Sequence, residues 1–306
     1  MLFWLVVIFS IYTFLKIYIS VMEIGYVTSL RSKEPILLDP KKYIEAASYT
    51  IRKERVNLVE SFVEYLLFLF WIFVGFKYLQ SISGADDSYK SNIIFLALFF
   101  LINFIVTLPF DYYRKFVIDK AFGFNKMSVK MWIGDILKEL IMSLIIGGIL
   151  VLFLIYVIKN YQLWWLWGFI FSFLVAIFVL FIYPTIIAPL FNKFEPLKDK
   201  ELNDDIEALL NRVGLKSNGV FVMDASKRDS RLNAYFGGLG KSKRVVLFDT
   251  LLNKLNKNEL LAVLGHELGH FSNKDVLKNI VIFAIFLFIT FYILGHLPKE
   301  LFFDMG

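Results

Sequence analysis

The sequence contains no cysteine, so neither a disulfide nor a thiolate metal site can be built from it. Histidine is scarce as well, with 3 in 306 residues, so any imidazole chemistry has to come from that small set. Regular repeats, low-complexity tracts and flexible linkers are missing, which excludes a solenoid and leaves no sign of a freely hung domain. No basic leader precedes the first apolar run and no small-residue cleavage site follows it, so that run is expected to be a retained anchor. What fills the chain instead is apolar: 58% hydrophobic residues and 34 phenylalanines, with a mean hydropathy of +0.64. A soluble core has no use for that much.

Runs long enough to cross a hydrocarbon layer fall near 2–22, 60–80, 93–110, 137–158, 163–190 and 276–296, which predicts six spans. Lys16 lies within the first, where an ammonium is costly unless it snorkels or faces a wet interior. Glu60 and Glu64 share a helix face and read either as a pair pointing into the bundle or as interfacial charges at a span end. Basic residues set the orientation. Arg31, Lys33, Lys41, Lys42, Arg52, Lys53 and Arg55 crowd the first connection, whereas the second sets Lys90 against Asp86 and Asp87. Arg114, Lys115, Lys120, Lys126 and Lys130 crowd the third, and the fourth offers Lys159. Positive charge marks the cytoplasmic side, so the N-terminus is expected outside and 191–275 in the cytoplasm of a bacterial inner membrane or endoplasmic reticulum. The net charge of +6 follows from that topology, and no nucleic-acid partner is implied.

Segment 191–275 is the one sizeable soluble stretch. It reads as helix (199–213), strand (219–223), two strands (232–236 and 244–248) joined as a hairpin around Gly237, Gly238 and Gly240, then helix (256–270). The expected fold is a multi-span α-helical membrane protein with a small α+β unit on its cytoplasmic side. It divides into five spans with their loops (1–190), the α+β unit (191–275), and a sixth span with the C-terminal end (276–306).

Leu264-Gly265-His266-Glu267-Leu268-Gly269-His270 carries the chemistry, and it holds two of the 3 histidines. Residues four apart on a helix stand one turn above each other, so His266 and His270 can offer two ring nitrogens to one Zn²⁺ while Glu267 activates a water. That is the pattern of a zinc peptidase. Six residues separate His270 from Val276, about 9 Å if the helix continues, so the metal is expected at the membrane boundary, with substrate arriving there. The strand Asn233-Ala234-Tyr235 reads either as a pairing edge for an extended substrate or as ordinary sheet core.

Separated blocks extend the reading. They are Leu108-Pro109-Phe110 with Tyr113 and Phe116-Val117-Ile118; Gly123-Phe124-Asn125; Tyr183-Pro184 with Ala188 to Phe194; Asp224 to Arg228; Asn233 to Phe236; Lys243 to Thr250; and the histidine motif. In this order they resemble the type I CAAX prenyl endopeptidases, integral-membrane zinc metalloproteases. The resemblance implies a barrel of seven membrane helices around a wet chamber, closed on the cytoplasmic side by a zincin-like catalytic unit. It implies His266 and His270 as ligands of Zn²⁺, Glu267 as the base, and Asn233, Ala234 and Tyr235 as the substrate-pairing strand. The implied partners are the lipid bilayer and a peptide or membrane-protein substrate, prenylated or not.

Two departures stand out. Arg231 occupies a position where family members often have histidine, and the family's third ligand, a later glutamate, would lie beyond Gly306. Were the motif helix continuous with the last span, His296 would be about 39 Å from His270, and Glu300 farther. Asp275 would lie roughly 140° round the helix from His270, and Glu259 about 10 Å below His266. The sequence therefore reads as the N-terminal part of a split or shortened protease, completed by a separate C-terminal fragment that supplies the third ligand. A catalytically inactive scaffold and a general quality-control protease for membrane proteins stay open as alternatives. A transporter would explain the spans but not the motif.

Overall fold

The computed structural model describes residues 2–36, 39–84, 88–215, 217–237 and 243–298. Asp86, Asp87, Gly238, Gly240 and Glu300, all used above, lie outside them. The chain forms two compact units, 1–125 with 297–306, and 126–296.

The first unit is helical: α1 (Leu2–Leu30), α2 (Pro40–Phe70), α3 (Phe76–Ser83) and α4 (Tyr89–Tyr112). Asp39 caps α2 with Pro40 at its first position, and Ser88 caps α4 by accepting the Ser91 N–H at 3.2 Å, so both starts are written in local sequence. Wide π-helical turns at Trp71–Gly75 and Tyr113–Asp119 run on from α2 and α4 without ending the helices. Lys16, Glu60 and Glu64, the costly residues of these spans, are each paired. Lys16 on α1 donates to Glu64 on α2 at 2.5 Å, and Ser20 donates to Glu54 at 2.7 Å. Arg114 forks onto both carboxylate oxygens of Glu60 and reaches Asn57 Oδ1 at 2.9 Å. Glu60 and Glu64 thus share α2 but serve different neighbours, and each of the two meets an opposite charge.

The second unit begins with α5 (Val129–Asn160), α6 (Trp164–Ile182), a π-helical turn at Tyr183–Ile187 that contains Pro184, and α7 (Ala188–Phe191). There follow β1 (Phe194–Pro196), α8 (Lys200–Arg212), β2 (Val220–Met223), β3 (Ala234–Gly237), β4 (Arg244–Phe248), α9 (Asp249–Leu252), α10 (Lys257–Ser272) and α11 (Asp275–His296). The sheet has four strands in the order β1-β2-β4-β3. β1 is antiparallel to β2, β2 parallel to β4, and β3 antiparallel to β4 with Ala234 opposite Leu247. Its core joins Leu202, Ile206 and Leu210 of α8, Val245 and Leu247 of β4, and Leu260, Leu264 and Leu268 of α10. α11 packs beside α6 where only glycine fits: a Cβ on Gly168 would lie 2.6 Å from the Phe291 ring, and one on Gly295 2.5 Å from Trp165.

Six helical stretches among the described residues are long and apolar enough to cross a membrane, which agrees with the expected number. They outrun the apolar runs. The second spans Pro40–Ser83 and the third Tyr89–Asp119, because the charged stretches flanking the apolar runs stay helical too. The helix over 256–270 is recovered as α10, but it does not run into the last span. It stops at Ser272 and α11 starts at Asp275, with Lys274 between them in the left-handed region at φ 57°. The continuity assumed in placing Asp275 and His296 therefore fails.

Candidate metal centre and active site

α10 starts on a capping box. Glu259 accepts the Asn256 N–H at 2.9 Å, and the Glu259 N–H donates to Asn256 Oδ1 at 3.0 Å. Glu259 is thereby committed to the cap, one residue pair that fixes where the helix begins. Lys257 adds an anchor to α8, donating to Glu201 at 2.7 Å and to Asp205; those two hydrogen bonds, Asp205 first, hold its ammonium well above the ordinary lysine range. Along the helix Leu260, Leu264 and Leu268 are 2% exposed or less. His266 and His270 look outward, their ring centroids 5.0 Å apart, and Glu267 is half-buried between the two faces.

His270 has a partner that the sequence did not suggest. Its Nδ1 lies 2.9 Å from Asp275 Oδ2, while Lys278 donates to Asp275 Oδ1 at 3.1 Å. The turn at Lys274 makes this possible, since an unbroken helix would carry Asp275 away from His270. With Nδ1 engaged, Nε2 of His270 is the nitrogen free to bind elsewhere. Two imidazoles one turn apart, one already oriented through its other nitrogen, are a donor set that suits a divalent metal such as zinc. Among the described residues no group of three or more metal-ligating side chains gathers.

β3 lies at an edge of the sheet, against α10. Ala234 is buried under it, Asn233 is exposed, and Tyr235 is half-buried. The Asn233 carbonyl accepts the Phe248 N–H at 3.1 Å and its side-chain oxygen accepts the Ala234 N–H at 2.9 Å. Burial pushes the Tyr235 phenol up to about 12. Arg231, just upstream, pairs with Asp229 at 2.7 Å, and its carbonyl accepts the Thr250 hydroxyl at 2.8 Å.

The block Asp224 to Arg228 turns out to be a clamp. Asp224 accepts the Lys193 N–H at 2.7 Å and pairs with Lys227; burial pulls its carboxyl up, but these bonds and the nearby Arg228 outweigh burial and hold it below the ordinary range. Ser226 donates its N–H and hydroxyl to Asp249 at 2.8 and 2.5 Å. Arg228 forks onto Asp135 of α5 with two bonds of 3.1 Å and reaches Asn192 at 3.0 Å. Three of the separated sequence blocks thus meet in one hydrogen-bonded cluster. Asp135 was not singled out from sequence; an acid at the mouth of an apolar run was its only signal.

Residues 33–193 match the family described as CAAX prenyl protease N-terminal, five membrane helices, and residues 196–301 match peptidase family M48. The chain belongs to the CAAX prenyl protease family. It is 41% identical over 202 residues to CAAX prenyl protease 1 of Saccharomyces cerevisiae, an alignment taking in 65% of this chain and 45% of that one. It is 33% identical over 286 residues to the Arabidopsis thaliana homolog, with 88% and 67% covered. The human homolog is 32% identical over 287 residues, with 78% and 60% covered. The chain therefore spans roughly half to two thirds of the length of these relatives. In three dimensions it is similar to the crystal structure of S. mikatae Ste24p, with a TM-score of 0.84, 31% identity, and 94% of this chain and 71% of that chain covered. The match to peptidase family M48 takes in β2, β3, β4, α10 and the turn to Asp275 together.

Proposed function

We propose that this member of the CAAX prenyl protease family is a zinc-dependent endopeptidase working at the cytoplasmic membrane boundary, with His266 and His270 as metal ligands and Glu267 as the base. The observation that carries this reading is the outward pair of imidazoles on α10, inside the region that matches peptidase family M48. The third ligand is a carboxylate from outside the described residues, in the same or a separate polypeptide. Zinc bound there would acidify a water and polarise the scissile carbonyl. Glu267 takes a proton from the attacking water and returns it to the leaving amine. The open edge of β3 at Asn233, Ala234 and Tyr235 pairs with the extended substrate backbone and holds the scissile bond in register. The substrate is a peptide or membrane protein, and the relatives' names point to a prenylated C-terminus. Charge asymmetry supports a cytoplasmic position for 191–275, with 1–190 and 276–306 as its membrane frame.

Glu267→Gln tests the assignment. It keeps shape and hydrogen bonding but cannot take a proton, so peptide hydrolysis should fall by on the order of 10²–10⁴ with zinc content unchanged. Retained hydrolysis would strip Glu267 of its role, and a wild-type chain that takes up no zinc even when the C-terminal fragment carrying the third ligand is supplied would favour the inactive scaffold.

A further inference from the structure

The break between α10 and α11 falls among Ser272, Asn273 and Asp275, weak helix formers that permit a turn without dictating its geometry. No proline or glycine stands at the break, and Lys274 adopts φ 57°, a left-handed conformation that a non-glycine residue seldom holds without support from its surroundings. The chain is regular on either side: the Asn273 N–H still donates to the Gly269 carbonyl at 3.0 Å, and the Lys278 N–H donates to the Lys274 carbonyl at 3.0 Å. What the break accomplishes is a contact. It swings Asp275 back until one carboxylate oxygen meets His270 Nδ1 at 2.9 Å, while the other receives Lys278 at 3.1 Å. His266 has no matching carboxylate among the described residues.

From this geometry we infer that Asp275 is a positioning residue for the metal centre: it fixes His270 as the Nδ1–H tautomer and aims Nε2 outward beside His266. The reasoning is chemical. An ionised carboxylate can only accept, so the nitrogen facing it carries the proton, and in the neutral ring, the form that binds a metal, the opposite nitrogen keeps its lone pair. Lys278 donates to the carboxylate's other oxygen, on the side away from the ring. Such a carboxylate both orients the ring and raises its basicity, and losing one typically weakens metal binding 10–100-fold. The inference deepens the metal-site reading and rests on it. It also recasts a residue that helical periodicity had set aside: Asp275 acts on the ligand, one bond removed from the ion.

The test uses the whole chain in detergent or lipid discs and two readouts. Because only 3 histidines are present, ¹⁵N-histidine labelling gives three resolvable imidazoles, and their nitrogen shifts report the tautomer without any metal. Zinc affinity is then measured by competition with a chelator. Wild type should show Nδ1–H at His270, Asp275→Ala should lose that preference and bind zinc 10–100-fold more weakly, and Asp275→Asn, which can still accept a hydrogen bond, should fall between. A His270 tautomer and zinc affinity unchanged in Asp275→Ala would overturn the inference while leaving the metal site standing. A wild-type chain that keeps the Nδ1–H tautomer yet binds no zinc even with the C-terminal fragment carrying the third ligand supplied would overturn the metal-site reading, and the inference with it.

Discussion

Replacing Arg228 by methionine should loosen the clamp that ties α5 to the loop after β2. The guanidinium makes two 3.1 Å bonds to Asp135 and one of 3.0 Å to Asn192. With side chains 18% and 12% exposed, the pair is screened little by water. Methionine fills much of the volume, so the loss is electrostatic: Asp135 is left with Lys138, at the longer distance of 3.4 Å, as its cation. Breaking one side of a buried pair typically costs about 3–5 kcal/mol, and Lys138 places the expected value near the lower end, about 3 kcal/mol. For a unit of this size that is a fall in Tm of roughly 6–12 °C. Six tryptophans make intrinsic fluorescence on heating a convenient assay. The decisive arm is the double variant Asp135→Leu with Arg228→Met. Removing both charges should recover most of the loss, because the penalty comes from the stranded partner and not from the missing attraction. A double variant as unstable as the sum of the two singles, or a single that moves Tm by less than about 2 °C, would refute the reasoning.

Two further outcomes follow from close packing and burial. Gly168→Ala places a methyl 2.6 Å from the Phe291 ring and 3.0 Å from Leu154, so thermal stability should fall by about 1–3 kcal/mol, and Phe291→Leu in the same chain should restore part of it; an unchanged Tm would mean that α6 and α11 are not in contact. Burial raises the Tyr235 phenol from 10.0 to about 12, so its stabilising contribution is complete below pH 10 and is lost as pH climbs through 12. The phenolate absorbance of wild type minus Tyr235→Phe should therefore appear late in the titration, and an ordinary midpoint would show that the ring is solvated.

Periodicity and composition made most of the fold legible. The six apolar runs, the helices over 199–213 and 256–270 and the strand 244–248 are local patterns, and each reappears as α8, α10, β4 or a span. What escaped was set by partners distant in sequence. β1 is three residues long and exists because Glu195 pairs with Val222, which no local pattern announces. The ends of the spans escaped for the opposite reason: Pro40 to Glu60 and Tyr113 to Asp119 are too charged to look apolar, yet the helix carries on through them. Lys16, Glu60 and Glu64 were visible as costly residues, but their actual neighbours, Glu64 for Lys16 and Arg114 for Glu60, depend on which helices lie side by side. At the candidate site His266, Glu267 and His270 were legible from spacing alone. Asp275 was not, because helix geometry was extended through a break that only Lys274 in the left-handed region reveals.

The histidine motif acquires a direction from the leucines around it. Leu264 and Leu268 are 0% and 2% exposed, which pins one side of α10 to the sheet. His266 and His270 each follow one of these leucines by two residues, about 200° round the helix, so burying the leucines forces the imidazoles to the opposite side. Glu267 follows Leu264 by three residues, about 300°, and comes out on the flank, consistent with its half-buried state. The same five-residue spacing on a helix without an apolar stripe would leave both rings free to rotate with it. Here the core of the α+β unit sets the helix phase, the Asn256 and Glu259 capping box sets where the helix begins, and the Lys274 turn brings a carboxylate to one ring. Three separate features, hydrophobic, polar and conformational, therefore fix the aim of two side chains, and a change to any one of them should disturb the centre without touching a ligand.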